Sequence, residues 1–226
     1  MRRVLNALLY LLVSGGQWRL LPRDFPKWSR VYYHFRRFHR LDLWRRLWHL
    51  LRVMVRHKAG RRKHASAGCL DSQSVKSTCV PGERGFDSGK RVKGRKRHIV
   101  CDTLGLPLEI LVTPANISDS GGARQLLQRA GRRRGPLKAL RLLWADAGYK
   151  QGFIDWCQKR KLRVEIVQAQ PGQKGFAVQP RRWVSERTFS WLSSNRRLAQ
   201  NYEVLAPLSE SLAWIASIRL YIRRLA

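Results

Sequence analysis

Three acids in this chain have types and surroundings that suit chemistry. Asp71 and Asp146 each close an apolar run that reads as a strand, Ala67–Leu70 and Leu137–Ala145, and each is followed by small or polar residues. Open sheets place functional groups at such strand ends, although a lone Asp there is more often a turn residue. Glu186 lies inside a helical run four residues after Arg182, so the two share a face. A single Glu near a helix start is commonly there for the helix dipole alone. Gathered on one mixed sheet, the three would form an oxygen donor set of the kind Mg²⁺ prefers. Two such ions about 4 Å apart activate a water or a 3′-hydroxyl and stabilise the leaving oxygen at a phosphodiester.

The chain holds only 14 Asp and Glu, so the rest can be weighed singly. Asp24, Asp42, Glu83, Asp87, Glu203 and Glu210 sit in polar segments or at helix starts. Glu109 lies mid-strand and is expected to face solvent. Asp119 reads as a helix-start residue, Asp155 and Glu165 as surface partners of basic neighbours, and Asp102 as the entry to a tight hairpin turn.

Against these acids stand 46 Lys and Arg, a formal net charge of +32 in 226 residues. Such a balance implies a polyanionic partner, most commonly nucleic acid. The basic residues are dispersed in clusters, at Arg45–Arg46, Arg61–Lys63, Lys90–Arg97, Arg132–Arg134, Lys159–Lys161, Arg196–Arg197 and Arg223–Arg224, with apolar residues between them. That pattern, with 44% hydrophobic residues, predicts a folded body with several basic faces rather than a disordered tail. The four cysteines form no CxxC pair and have no His at zinc-finger spacing, which points to reduced thiols in the cytoplasm. Met1-Arg-Arg before an apolar run is a weak export pattern, but Asn6 interrupts the run, which is also too short to span a membrane.

The elements that must position these residues change character along the chain. Residues 1–58 read as helical: Leu5, Leu8, Leu9 and Leu12 recur at helical steps, Gly15-Gly16 stops the first helix, Ser29 is a candidate N-cap of a second ending near Phe38, and a third runs from about Leu41 to Val55. Short Arg-rich helices with tight breaks suit a helix-turn-helix DNA-binding unit, and equally an ordinary helical subdomain packed on the rest. Polar, basic residues 57–64 read as a linker, its centre at 59–64. From residue 65 to 226 the pattern is a strand to Leu70, a polar loop through Gly89, a hairpin of Arg97–Asp102 and Leu106–Val112, then helix, strand, helix and strand. A long helix over Arg182–Ala199 and an amphipathic one over Leu212–Leu225 follow. This order predicts an α/β fold, a mixed sheet with flanking helices, behind a small all-helical domain.

Four strings then become recognisable in order: Asp71-Ser-Gln-Ser-Val-Lys-Ser-Thr78; Gly94-Arg-Lys-Arg-His-Ile-Val100 with Asp102-Thr-Leu-Gly-Leu106; Ala145-Asp-Ala-Gly-Tyr149; and Arg181-Arg-Trp-Val-Ser-Glu-Arg-Thr-Phe189, leading to Arg196-Arg-Leu198. Gly16-Gln-Trp-Arg-Leu-Leu-Pro22 and Tyr33–Phe38 add to them. With these strings the chain resembles the DDE transposases of bacterial insertion sequences, in the group related to the IS-four and IS-five elements, over nearly its whole length. The resemblance implies a ribonuclease-H-like catalytic domain over 65–226 with Asp71, Asp146 and Glu186 as catalytic, Mg²⁺- or Mn²⁺-binding residues. It also implies contacts to DNA phosphates from Arg95, Lys96, Arg97, His98, Arg182, Arg196 and Arg197. The implied partners are double-stranded DNA, at the element ends and the target, and a second copy of the chain in the DNA complex. A membrane is not among them, and the implied location is the cytoplasm, at the nucleoid.

The chain departs from the family's Tyr-Arg-Glu-Lys signature. Arg182 and Glu186 fit it, but Gln179 stands at the Tyr position and Ser193 at the Lys position, with Arg196 or Arg197 as replacement for that Lys. Relatives also begin further upstream, so the expectation is a helical domain shortened at its start. The main reading is an enzyme of DNA cleavage and strand transfer. The alternative is a truncated or domesticated, catalytically inactive DNA-binding relative, and a ribosomal-type RNA binder fits poorly because it calls for no constellation of acids.

Overall fold

The computed structural model describes residues 1–78, 81–131, 135–167 and 181–226, so Cys79, Arg132–Arg134, Gln168, Gln179 and Pro180 lie outside the described residues. The chain opens with three helices, α1 (Arg2–Ser14), α2 (Trp28–Arg40) and α3 (Leu43–Lys58). Gly15 ends α1 in the left-handed region at φ 74°, returning its N–H to the Leu11 carbonyl, a conformation that a Cβ would strain. Val4, Ala7, Leu8, Leu11 and Leu12 are buried, so the apolar run that looks like a leader core packs into the protein interior. α2 begins one residue before Ser29, which therefore lies inside the helix and caps nothing. α3 runs on through His57 and Lys58 into the expected linker.

Six strands form one mixed sheet: β1 (Ala67–Lys76), β2 (Gly85–Asp87), β3 (Val92–Asp102), β4 (Pro107–Pro114), β5 (Leu142–Ala145) and β6 (Arg163–Ile166), in the order β2-β3-β1-β5-β6 with β4 also paired to β3. β3 is antiparallel to β1 and β4, while β5 runs parallel to β1 and β6 parallel to β5. The expected hairpin closes at Gly105, where φ is 77°. Asp102 Oδ1 accepts the N–H groups of Leu104 and Leu106 there, and its other oxygen pairs with buried Arg56.

α4 (Asp119–Ala130) and α5 (Gln151–Gln158) cover one face of the sheet, where Leu70, Val100 and Leu143 meet Leu126, Leu127 and Phe153. α6 (Arg182–Ser193), the short α7 (Arg196–Ala199) and α8 (Ala206–Leu225) cover the other. This is the ribonuclease-H-like α/β arrangement expected from the sequence. Gly122 in α4 lets that helix approach β3: a Cβ there would stand 2.1 Å from the ring of buried His98.

Several boundaries differ from the sequence reading, each for a physical reason. β1 does not end at Asp71 but continues to Lys76, because its polar half pairs residue for residue with β3. β5 starts at Leu142, and Leu137 and Leu140 are buried in the turn before it. The helix expected over Arg182–Ala199 is two helices, broken at Ser194-Asn195. α8 starts at Ala206 and is buried from Leu208 through Ile218, so it is not an amphipathic surface helix. The N-terminal helices pack against it: Trp48 is fully buried, donates its indole N–H to Tyr221 Oη at 3.2 Å and stacks on Trp214 at 6.0 Å. Phe35, Trp44 and Trp48 thus share one core with Ile99, Ile110, Phe189 and Leu212.

Glu109, expected to face solvent, is completely buried. β4 has α8 against one face and α4 against the other, and with both faces covered, alternation no longer marks a wet side. Its charge is met by Arg45 at 2.7 Å and Arg129 at 3.4 Å, and Arg129 also pairs with buried Glu210 at 2.8 Å. Glu203, likewise buried, pairs with Arg197 at 2.6 Å. These ions are held inside because each has a partner of opposite sign.

Candidate active site

The β1–β5 register assembles the centre of the site. Ala67, Gly68 and Cys69 lie beside Leu142, Leu143 and Trp144, so the same offset carries Asp71 to the position beside Asp146 just beyond the last paired residues. Side chains two apart on a strand share a face. Cys69 and Trp144 pack with Val184 of α6, and Asp71 and Asp146 follow them onto that side. α6 meets them there: Ser185 Oγ donates to Asp71 Oδ2 at 2.8 Å, and Arg182 Nη2 stands 4.0 Å from Asp146 Oδ2. Asp71, Asp146, Arg181, Arg182 and Ser185 line a small cleft with Cys69 and Trp144. Asp71 is mid-strand in β1 and yet lies just past the end of the β1–β5 pairing, because only its antiparallel partner β3 continues past it.

Burial pushes the Asp71 carboxyl above its usual range, and the charge of Asp146 adds to the rise, while hydrogen bonds from the Ser185 hydroxyl and the Ser72 N–H and the charge of Arg182 oppose it. Asp146 Oδ1 accepts the N–H of Gly148 at 2.9 Å. Glu186, more exposed, is tied to the pair through Arg182, whose Nη2 is 3.7 Å from Glu186 Oε1. Asp71 and Asp146 are thus brought together, with Glu186 one guanidinium away. Among the described residues no three His, Cys, Asp or Glu side chains stand close enough to hold a metal ion as they are.

The family model of the transposase DDE domain matches residues 62–220, the whole sheet and its flanking helices. The chain belongs to the DDE transposase family. A second model, for transposases assigned to the IS4/5 family, matches residues 1–48, within the three opening helices. A protein of Burkholderia cepacia assigned as a transposase for insertion sequence element IS402 is 34% identical over 114 residues, which are 49% of this chain and 54% of that relative. The chain thus spans about half the length of the curated relative it matches.

Within this DDE domain the basic residues expected at DNA fall into two groups. Arg95, Lys96, Arg97 and His98 are buried in β3, so they have almost no surface to offer a phosphate. Arg95 donates to the carbonyls of Glu83, Glu203 and Val204. Lys96 is clamped between Asp87 at 3.1 Å and Asp119 at 2.9 Å. Burial lowers the Arg97 guanidinium to about 10 and keeps His98 neutral, its value brought down to about 4. Arg197 is buried against Glu203. Arg182 lies at the site and Arg196 is exposed. Ser193, in the place of the family's Lys, lies 3.5 Å from the Gln73 amide nitrogen.

The chemistry of the acidic donors in the DDE domain suits a hard divalent ion, although as placed they form no three-ligand cluster among the described residues. Asp71, Asp146 and Glu186 offer carboxylate oxygens, the ligands Mg²⁺ and Mn²⁺ select. Two features near Asp146 went unnoticed in the sequence. The Tyr149 hydroxyl is buried and has no hydrogen-bond partner among the described residues. Gly148 leaves a cradle in which a Cβ would sit 3.0 Å from Asp146 Oδ1.

Proposed function

We propose that this chain is a DNA transposase dependent on Mg²⁺ or Mn²⁺, which binds the terminal inverted repeats of its insertion sequence and carries out DNA cleavage and strand transfer. The observation that carries this reading is the β1–β5 register, which sets Asp71 beside Asp146 on the face that α6 approaches with Glu186. Asp71, Asp146 and Glu186 would hold the ions, which when bound supply a polarised water or 3′-hydroxyl and charge at the leaving oxygen. Ser185 fixes the orientation of Asp71. Arg182 neutralises Asp146 and Glu186 and is placed to meet a phosphate in the same cleft. Exposed Arg196 and the exposed basic side chains of α2, Arg30, Arg36, Arg37 and Arg40, give the duplex its grip. Residues 1–58 act as the DNA-binding segment, 59–64 as the basic linker and 65–226 as the catalytic domain, with two copies working together on the DNA.

Among the described residues no helix is long and apolar enough to cross a membrane. The deciding test is a nicking assay on duplexes that carry the element's own ends. Strand breaks at the end of the repeat that appear with Mg²⁺ and vanish with EDTA are expected. A tight complex with no Mg²⁺-dependent breaks would instead identify the inactive DNA-binding relative.

A further inference from the structure

The α3 helix turns charges inward and leucines outward. Arg52 and Arg56 are buried beside Trp44, Trp48 and Val55, whereas Leu43, Leu47, Leu50 and Met54 are exposed, Leu50 at 59%. At the pitch of an α-helix these four side chains fall within about 60° of one another, so they form a single stripe along the helix. Their spacing of four, three and four residues is that of a coiled-coil seam. A helix that met only water on this side would carry the opposite pattern, and a contiguous apolar stripe left outside marks a contact surface.

Two features of the stripe identify its partner. The spacing reads the same from both ends. A second α3 turned end for end therefore sets Leu43 opposite the partner's Met54 and Leu47 opposite the partner's Leu50, as a two-fold axis requires. The charges at the two ends are complementary in that arrangement. Asp42, exposed and capping nothing with its side chain, stands at the start of the stripe, and exposed His57 and Lys58 stand at its end. End-for-end pairing brings Asp42 to within about one helical turn of the partner's His57 and the partner's Lys58. Parallel pairing would instead set like charge against like. Between Leu43 and Met54, Arg46 alone is an exposed charge, and it lies at the edge of the stripe.

We propose that the stripe of Leu43, Leu47, Leu50 and Met54 is a two-fold interface, in which α3 of one copy lies antiparallel to α3 of a second copy. Four residues from each side make less than a standard interface, so the dimer is weak in free solution, with a dissociation constant on the order of 10⁻⁵ M. DNA that holds both copies close raises its occupancy. The net charge of +32 on each chain opposes the contact at low salt. Screening removes that repulsion, so dimer formation rises with salt, the opposite of the fall expected for DNA binding.

This inference deepens the reading that two copies work together, and it is tested without DNA or metal, so its failure leaves the cleavage reading untouched. Sedimentation velocity of the full chain is followed up to about 10⁻⁴ M, well above the expected constant, in low and in high salt. A monomer–dimer equilibrium that strengthens with salt is expected. Leu47→Glu and Leu50→Lys should each leave the chain monomeric. Their equimolar mixture should dimerise again, because end-for-end pairing makes the two substituted positions face each other with opposite charge. Both side chains are exposed, so neither change should move the melting curve of the dilute chain. A chain that stays monomeric at the highest concentration in high salt overturns the proposal, whatever else covers the stripe. A dimer that both substitutions leave intact overturns it too, by placing the contact elsewhere. Dimers lost in each variant and not restored in the mixture overturn the antiparallel arrangement and the proposal with it.

Discussion

Asp146→Asn is expected to shift a terminal-repeat duplex in a gel as the wild type does, while nicking it with Mg²⁺ at least about a hundredfold more slowly. The substitution keeps the size of the side chain and the oxygen that accepts the Gly148 N–H at 2.9 Å. It removes one negative charge from the pair that would hold the ion. The fold should hardly notice, because the contact to Arg182 is long, at 4.0 Å, and about one third exposed on both sides, and such pairs contribute little. The grip on DNA comes from arginines elsewhere on the surface. Binding and cleavage lost together would trace the effect to folding, and cleavage retained in full would remove Asp146 from the site.

Trp48→Ala is expected to lower stability by about 3–5 kcal/mol, a large part of the whole for a domain of ordinary stability. Trp48 is fully buried, bonds Tyr221 Oη at 3.2 Å and stacks on Trp214, with the Arg52 guanidinium 5.7 Å from its ring centre. Its removal leaves a cavity and an unpartnered buried hydroxyl at the seam between α3 and α8. Leu50, on the exposed side of the same helix, is the control: Leu50→Ala should stay within about 0.5 kcal/mol. Urea unfolding followed by far-UV circular dichroism measures both. The expected result is a single transition at a lower midpoint for Trp48→Ala. An unchanged midpoint, or a helix transition separated from an unshifted sheet transition, would show that the first three helices do not share the core of the sheet domain.

What could be read in the sequence and what could not divides along the range of the interactions. The turn of the β3–β4 hairpin, the stop at Gly15 and the helical start of the chain depend on local residue order and stand where the pattern puts them, although β3 begins at Val92, five residues before the expected Arg97. The apolar runs that lead to Asp71 and Asp146 do end in strands, but β1 is longer than expected because of its partner β3, and β5 is shorter, Leu142–Ala145. The interior charges were hidden because their partners are far away in sequence: Arg45 from Glu109, Arg129 from Glu210, Arg56 from Asp102. In a chain with 46 Lys and Arg, any short window looks like a DNA-facing patch, and Arg95-Lys-Arg-His98 looked most like one. Its alternation was overridden by the position of β3 in the middle of the sheet, with strands on both edges and helices on both faces. Asp119 could be read only as a helix start, since nothing local shows that it accepts from Ser72 and pairs with Lys96 in the sheet.

The central claim, that Asp71, Asp146 and Glu186 make one divalent cation site, is tested most directly by letting the ion report its own position. Fe²⁺ in place of Mg²⁺, with ascorbate and peroxide, generates hydroxyl radicals that cut the nearby backbone. Fragments ending close to residues 71, 146 and 186 are expected, all three suppressed together by excess Mg²⁺ and absent in Asp146→Asn. Cuts near 71 and 146 without any near 186, or cuts that excess Mg²⁺ leaves untouched, would contradict it.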